Sequence, residues 1–234
     1  MTPPPAERVR AILKAKSVFG GLADDVLDEL ARRARLARFA KGDGLYRRGD
    51  QADNLMVILS GRVKISNITD DAREVVLNFL GAGDLNGELA ALDGKGRSAD
   101  ATALEPTEVA ILYRRDFIPV LERNPQALFE IVAVLAEKLR MASAMVEHSL
   151  LQMSGKAANG LLRLADQHGR KVADGVLVDL KISQRDLGGY IGLSRENTSR
   201  ELGRLKDEGL IRVDGSQIVI LDMKGLQAWT EANA

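Results

Sequence analysis

Two groups of residues carry side chains whose types and spacing can do chemistry. The first is Gly87-Glu88-Leu89-Ala90-Ala91-Leu92, followed closely by Arg97-Ser98-Ala99. A glycine that opens one helical turn leaves backbone N–H groups unpaired, and such a terminus cradles a phosphate. Arg97 and Ser98 add a guanidinium and a hydroxyl to the same anion. Glu88 offers an acceptor to something else, and a sugar hydroxyl is the natural donor. The same side chains would also serve as a surface ion pair between Glu88 and Arg97 on a loop. Their chemistry alone does not choose.

The second group is Arg195, Glu196, Ser199 and Arg200, behind a helix cap at Ser194. These four share one face at the N-terminal end of a helix, the end that enters a major groove. Arginine pairs bidentately with guanine O6/N7, and glutamate accepts from cytosine N4–H₂, so the set suits a site containing G·C pairs. The competing reading is a solvated face steadied by a Glu196–Arg200 pair, worth only about 0.2–0.5 kcal/mol. The surroundings favour base readout. Ser183 caps a preceding helix with Asp186 as its capping-box partner. Gly188 is small enough to meet a partner helix, Gly192 makes the turn, and Gly209 ends the second helix. Thr198, Leu202 and Leu205 form that helix's inner face. Leu210–Val213, Asp214-Gly215 and Gln217–Leu221 then read as a hairpin, which makes the helix-turn-helix winged.

The elements that must position these groups fall into two contrasting halves. Residues 7–38 read as short helices, with Val9, Ile12, Leu13, Val26, Leu27, Leu30 and Ala34 at helical spacing and Asp24 or Asp25 as an N-cap. From Leu36 the period changes. Leu45–Arg47, Leu55–Leu59, Val63–Ile68, Glu74–Phe79 and Val109–Tyr113 read as strands between turn signals such as Gly49-Asp50, Ser60-Gly61 and Asp70-Asp71. Many short strands without long helices between them predict an antiparallel roll. Beyond it, Ser154-Gly155 is read as the break that opens a second domain, with a helix over Lys156–Gln167 and a strand over Val176–Leu180.

A long apolar helix over about 125–151 joins the halves. Leu128, Val132, Leu135, Leu139, Ala142 and Val146 make a heptad seam, and Ile131, Val134, Met141 and Met145 lie beside it. The stripe is too wide for one contact. One edge is expected to meet a partner helix as a dimer axis while the other packs on the roll.

The bulk properties narrow the classes. The 234 residues suffice for two modest domains, and 28% charged residues with zero net charge describe an ordinary folded protein. No apolar run is long enough to span a bilayer, and Met1–Arg10 shows no secretory signal. The absence of cysteine excludes disulfides, thiolate zinc sites and cysteine-held iron–sulfur clusters, and fits a reducing cytoplasm. His148 and His168 are read as solvated polar residues rather than metal ligands. With no histidine before residue 148, haem sensing is not expected either. From Lys156 onward 12 Lys/Arg oppose 11 Asp/Glu, so nucleic-acid binding must rest on local geometry. No nucleophile–base constellation follows the long helix, and the chain is read as a non-enzyme.

Gly87-Glu88-Leu89 with Arg97-Ser98-Ala99, and Leu193-Ser194-Arg195-Glu196-Asn197-Thr198-Ser199-Arg200, resemble the Crp/Fnr superfamily of bacterial regulators, within it the cyclic AMP receptors and the alphaproteobacterial Clr-type branch. The resemblance runs from about Phe19 to Leu221. It implies an α+β chain: an antiparallel, jelly-roll-like β-roll that binds cyclic nucleotide (1–124), a dimerising C-helix with its hinge (125–153), and a winged helix-turn-helix (154–234). It assigns Glu88 to the ribose 2′-hydroxyl, and Arg97 and Ser98 to the cyclic phosphate. Backbone N–H groups around Gly87, Leu89 and Ala99 join them, and Ile65, Leu77 and Leu80 line the pocket. It places Ala142-Ser143 where the family's Thr-Ser pair meets the purine. The threonine hydroxyl is missing here, and cyclic AMP and cyclic GMP both stay open. It implies that Arg195, Glu196 and Arg200 read a TGTGA-like half-site of a palindromic operator, with Ser183, Arg185, Ser194 and Ser199 as further DNA contacts. Double-stranded DNA, a second copy of the chain and RNA polymerase are the implied partners. A relative with a different effector, or with constitutive activity, is the alternative.

Overall fold

In a computed structural model of the chain, residues 5–16, 19–215 and 217–233 are described; the reading of Met1–Arg10 lies partly outside them. The chain divides into two compact units, one of residues 1–67 and 77–139, the other of 68–76 and 140–234. The first opens with α1 (Pro5–Lys16) and α2 (Asp24–Arg33). Asp24 and Asp25 lie in the first turn of α2 behind an Ala23 cap that makes no side-chain bond, so they act on the helix dipole rather than as caps. The helical reading to residue 38 gives way to strand β1 (Arg35–Phe39). There follow β2 (Gly44–Tyr46), β3 (Asn54–Ser60), β4 (Val63–Ile68), β5 (Glu74–Leu80), β6 (Leu85–Asn86), α3 (Glu88–Asp93), β7 (Asp100–Ala103), β8 (Thr107–Tyr113), α4 (Arg114–Arg123) and α5 (Pro125–Leu150).

The strands form two sheets, β1-β8-β3-β6 and β2-β7-β4-β5. β3 explains the packing. Its alternate residues point to opposite faces, and both faces are covered, so Leu55–Leu59 is apolar throughout. Leu55, Val57 and Leu59 join the core with Leu27, Leu30, Phe117 and Ile131 from the helices. Met56 and Ile58 face the other sheet, clustering with Val63, Leu80 and Ala101 from it and with Val109 of the neighbouring β8.

α5 has a covered and an uncovered edge, but Leu135, read as part of the seam, lies on the covered one. Ile131 and Ala127 are buried and Val134 and Leu135 pack on the helical core, while Leu128, Phe129, Val132, Leu139 and Val146 stay exposed.

In the second unit, α6 (Met153–His168), β9 (Gly169–Val172), β10 (Gly175–Val178), α7 (Gln184–Ile191), α8 (Arg195–Asp207), β11 (Ile211–Asp214), β12 (Gln217–Ile220) and α9 (Met223–Ala232) follow in order. The helix break falls at Leu151-Gln152, not at Ser154-Gly155, which lie inside α6. Gly155 is there for contact. A Cβ on it would lie 2.4 Å from the Asn233 carbonyl oxygen, so α6 and α9 approach at that point with no room for a side chain. α9, starting beyond the stretch read from the sequence, is capped by Asp222, whose side chain accepts from the Gly225 N–H at 2.9 Å.

His148 corrects a second expectation. It is buried at 7% exposure, with Nδ1 3.0 Å from the Asn159 side chain and Nε2 3.1 Å from the Ile191 carbonyl. Burial holds its pKa below the ordinary value; the two hydrogen bonds oppose this, and Arg163 and Lys156 on α6 push the same way as burial. The folded chain therefore takes up this proton less readily than the unfolded one. The ring's contribution to stability is whole above about pH 6.5 and is lost as pH falls toward the lowered value. We expect urea midpoints recorded between about pH 5 and 7 to fall on acidification less steeply in His148→Gln than in the wild type. Identical slopes would refute this.

Candidate functional site

Glu88 is the first residue of α3, and Gly87 caps it in the left-handed conformation at φ 77°. Only glycine suits this position twice over. A Cβ there would sit 2.1 Å from Arg97 Nη1, and a left-handed φ is costly for other residues. Arg97 is 4% exposed. Its Nη1 donates to the carbonyls of Asn54 at 2.8 Å and Gly87 at 2.7 Å, and its Nη2 donates to Asn54 Oδ1 at 2.8 Å. The guanidinium lies 4.3 Å from the centroid of the Tyr46 ring, a cation–π contact. The loop that carries it is pinned: Gly49 N–H donates to the Arg97 carbonyl at 2.8 Å, and Arg97 N–H to the Asp50 carbonyl at 2.9 Å. Arg97 thus supports the fold as well as offering a cation.

Glu88 is 2% exposed. The ion pair read between Glu88 and Arg97 as a surface feature is not what forms. Glu88 Oε1 pairs instead with Lys138 Nζ on α5 at 2.9 Å. Its Oε2 is buried without a hydrogen-bond partner, as are Arg97 Nε and Asn86 Nδ2. The Asn86 oxygen is used, accepting from the Tyr46 hydroxyl at 2.5 Å. Burial pushes the Tyr46 phenol up to about 12, with Glu88 adding to the rise and Arg97 opposing it. Desolvation likewise lowers Arg97. Leaving a buried polar atom unpaired costs about 1–3 kcal/mol. Here one acceptor and two donors stand in that state.

Of the other expected residues, Ser98 and Leu89 are exposed, and Ala99 is buried. Leu80 and Ile65 belong to the cluster between the sheets, and Leu77 is half-buried on β5. Ala142 and Ser143 are exposed residues of α5 in the second unit. Lys138, Tyr46, Asn54 and Asn86 were not singled out from the sequence. No local motif marks them, because each arrives from a different element.

In the second unit, Ser183 accepts from the Asp186 N–H at 3.0 Å and Ser194 from the Asn197 N–H at 3.2 Å. Both predicted caps are in place. Gly188 is forced small: a Cβ would lie 2.7 Å from the Leu193 carbonyl oxygen and 2.9 Å from Thr198 Oγ1. Thr198, Leu202 and Leu205 are buried. Beyond α8, Gly209 is left-handed, and the Leu210 N–H reaches the Leu205 carbonyl at 3.0 Å, a Schellman closure. Arg195, Glu196, Ser199 and Arg200 line one open concavity together with Gln184, which the sequence reading passed over. Arg200 donates to Asn197 Oδ1 at 2.9 Å and lies 3.7 Å from Glu201, rather than pairing with Glu196. Ser183 and Arg185 are exposed at the start of α7.

Two family models match the chain: the cyclic nucleotide-binding domain over residues 36–124 and the Crp-like helix-turn-helix domain over residues 155–229. The chain belongs to the Crp family. It is a Crp-like, cyclic-nucleotide-binding and DNA-binding transcription regulator, in a family of regulators rather than enzymes whose members bind DNA and dimerise. It is 31% identical to the cyclic AMP receptor protein of Thermus thermophilus, covering 86% of this chain and 90% of that one. It is 30% identical to the cAMP-activated global transcriptional regulator CRP of Haemophilus influenzae, over 84% of this chain and 88% of that one. Among solved structures, FixK2 from Bradyrhizobium japonicum superposes with a TM-score of 0.75 at 25% identity, covering 86% of this chain and 99% of that one.

Gly87→Ala should destabilise the first unit by roughly 2 kcal/mol or more, from the left-handed φ and the collision with Arg97. A urea midpoint equal to wild type would show that the close approach is not real.

Proposed function

We propose that this Crp-family regulator is gated by cyclic AMP bound between α3 and the 97–99 loop, dimerises through the 125–151 seam, and reads a palindromic TGTGA-like operator. The observation that carries the ligand reading is the set of buried, unpaired atoms. Glu88 Oε2 can accept only from a donor such as a ribose hydroxyl. Arg97 Nε offers an N–H to a phosphate oxygen. A ligand bearing both groups relieves both penalties at once. Relatives named as cAMP-activated favour cyclic AMP over cyclic GMP. Ala142 in place of a threonine keeps cyclic GMP in the test.

The exposed apolar edge of α5 supports the dimer, since such a strip is stable in water only when covered. Two reading heads related by a two-fold axis imply half-sites one helical turn apart, about 34 Å. We assign 1–124 to ligand binding, 125–153 to dimerisation and hinge, and 154–234 to DNA. Action on a promoter implies RNA polymerase as a further partner, and the cytoplasm as the place of work. No described helix is long and apolar enough to cross a membrane.

Calorimetric titration with cyclic AMP and cyclic GMP, paired with operator binding in each state, tests the reading. Cyclic AMP is expected to bind and to tighten operator binding. Glu88→Gln and Arg97→Lys should each weaken it by about tenfold or more, the scale of a hydrogen bond to a charged group. Unchanged affinities would overturn the site. No heat from either nucleotide with operator binding intact would favour a different effector or constitutive activity. On the DNA side, Arg200→Ala should lose about 1–3 kcal/mol at one base pair of the half-site. Uniform loss across an operator variant series would contradict base readout.

A further inference from the structure

Three residues in and just beyond the end of the long helix each bond to a different element of the second unit. His148 bonds to the Ile191 carbonyl at the end of α7. Gln152 N–H donates to the Asn233 carbonyl beyond α9 at 3.3 Å, and Ser154 Oγ donates to Glu201 Oε2 on α8 at 2.6 Å. Of the three, His148 alone lies within α5; the others follow the break at Leu151-Gln152.

The chemistry of the His148 contact is specific. Ile191 is the last residue of α7, and carbonyls at a helix end lack intrahelical partners. A carbonyl only accepts, so the ring proton sits on Nε2. In the neutral ring Nδ1 then accepts from the Asn159 amide, whose oxygen and nitrogen exchange places by a half-turn. One imidazole therefore ties α5 to both α6 and α7. Beside it α6 and α7 are packed closely, since a Cβ on Gly160 would lie 2.2 Å from Ile191 Cγ2. The next residue, Gly192, is the left-handed turn, and two residues later Ser194 caps α8. Whatever fixes the Ile191 carbonyl fixes the entry to the recognition helix.

We propose that His148 is a positioning residue that fastens the end of the dimerising helix to the helix-turn-helix, so that a ligand-driven shift of α5 reaches α8 without slack. The proposal rests on the nucleotide-gated reading of the preceding subsection and names how that gate is transmitted. Without the imidazole, α5 would meet the reading head through the Leu151-Gln152 link, whose backbone torsions absorb a displacement instead of passing it on.

The test compares wild type, His148→Ala and His148→Gln in the full-length protein. Operator affinity is measured without and with saturating cyclic AMP, and amide hydrogen exchange is followed at residues 145–153 and 188–194 without ligand. His148→Ala should reduce the ratio of the two operator affinities by roughly five-fold or more, within the usual range of coupling between sites. Exchange should rise in both segments. His148→Gln keeps a side-chain N–H for the Ile191 carbonyl and should restore most of both. An unchanged ratio in His148→Ala, equal losses in the two variants, or unaltered exchange would each overturn the proposal. If the wild type itself shows no effect of cyclic AMP, the gating reading fails, and the exchange arm alone decides whether His148 fastens the helices.

Discussion

A guanidinium taken out of water must find acceptors for its N–H groups, and much of the first unit is arranged to meet that demand for Arg97. Two backbone carbonyls, one side-chain amide and the face of Tyr46 surround it. Meeting the demand fixes other residues in turn. Gly87 must lack a side chain, β3 must present Asn54, and the turn at Gly49-Asp50 must hold the loop that carries the arginine. The Nε–H is left over. A cation so fully held, with one donor unspent and a buried carboxylate oxygen in the same condition nearby, is the basis of the proposed ligand site.

The long helix meets a different constraint. Its apolar stripe is wider than one neighbour can cover, and the structure resolves it into two edges. Ile131 and Ala127 belong to the roll's core, whereas Leu128, Val132, Leu139 and Val146 face outward. Lys138, on the same helix, supplies the charge that partners Glu88. The helix therefore carries a partner of Glu88 in the proposed ligand site, an uncovered apolar edge and, at His148, a bond to the end of α7.

What was legible in the sequence was local. Caps at Ser183 and Ser194, the turn at Gly192 and the C′ glycine at Gly209 each act within a few residues, and all appear as read. So does the strand over Val63–Ile68; on α5 the exposed Leu128, Val132, Leu139 and Val146 match the seam, whereas Leu135 packs on the core instead. What escaped depended on distant partners. Ser154-Gly155 looked like a helix break, yet Gly155 is small because Asn233 touches it. β6 and β7, two and four residues long, showed no period of their own. His148 looked solvated because the groups that bury it lie 11 and 43 residues away. In the proposed ligand site, Glu88 and Arg97 could be named from their motif. Tyr46, Asn54, Asn86 and Lys138 could not, since they come from four separate elements.

The stack of Arg97 on Tyr46 carries a consequence for observation. The energy of a phenol's electronic transition responds to a charge held against its ring, and the near-ultraviolet circular dichroism of a buried tyrosine responds to its immediate asymmetry. A phosphate drawing on this guanidinium would alter both. Tyr46 is one of three tyrosines in the chain, so occupancy of the pocket should leave an intrinsic optical signature that needs no attached dye.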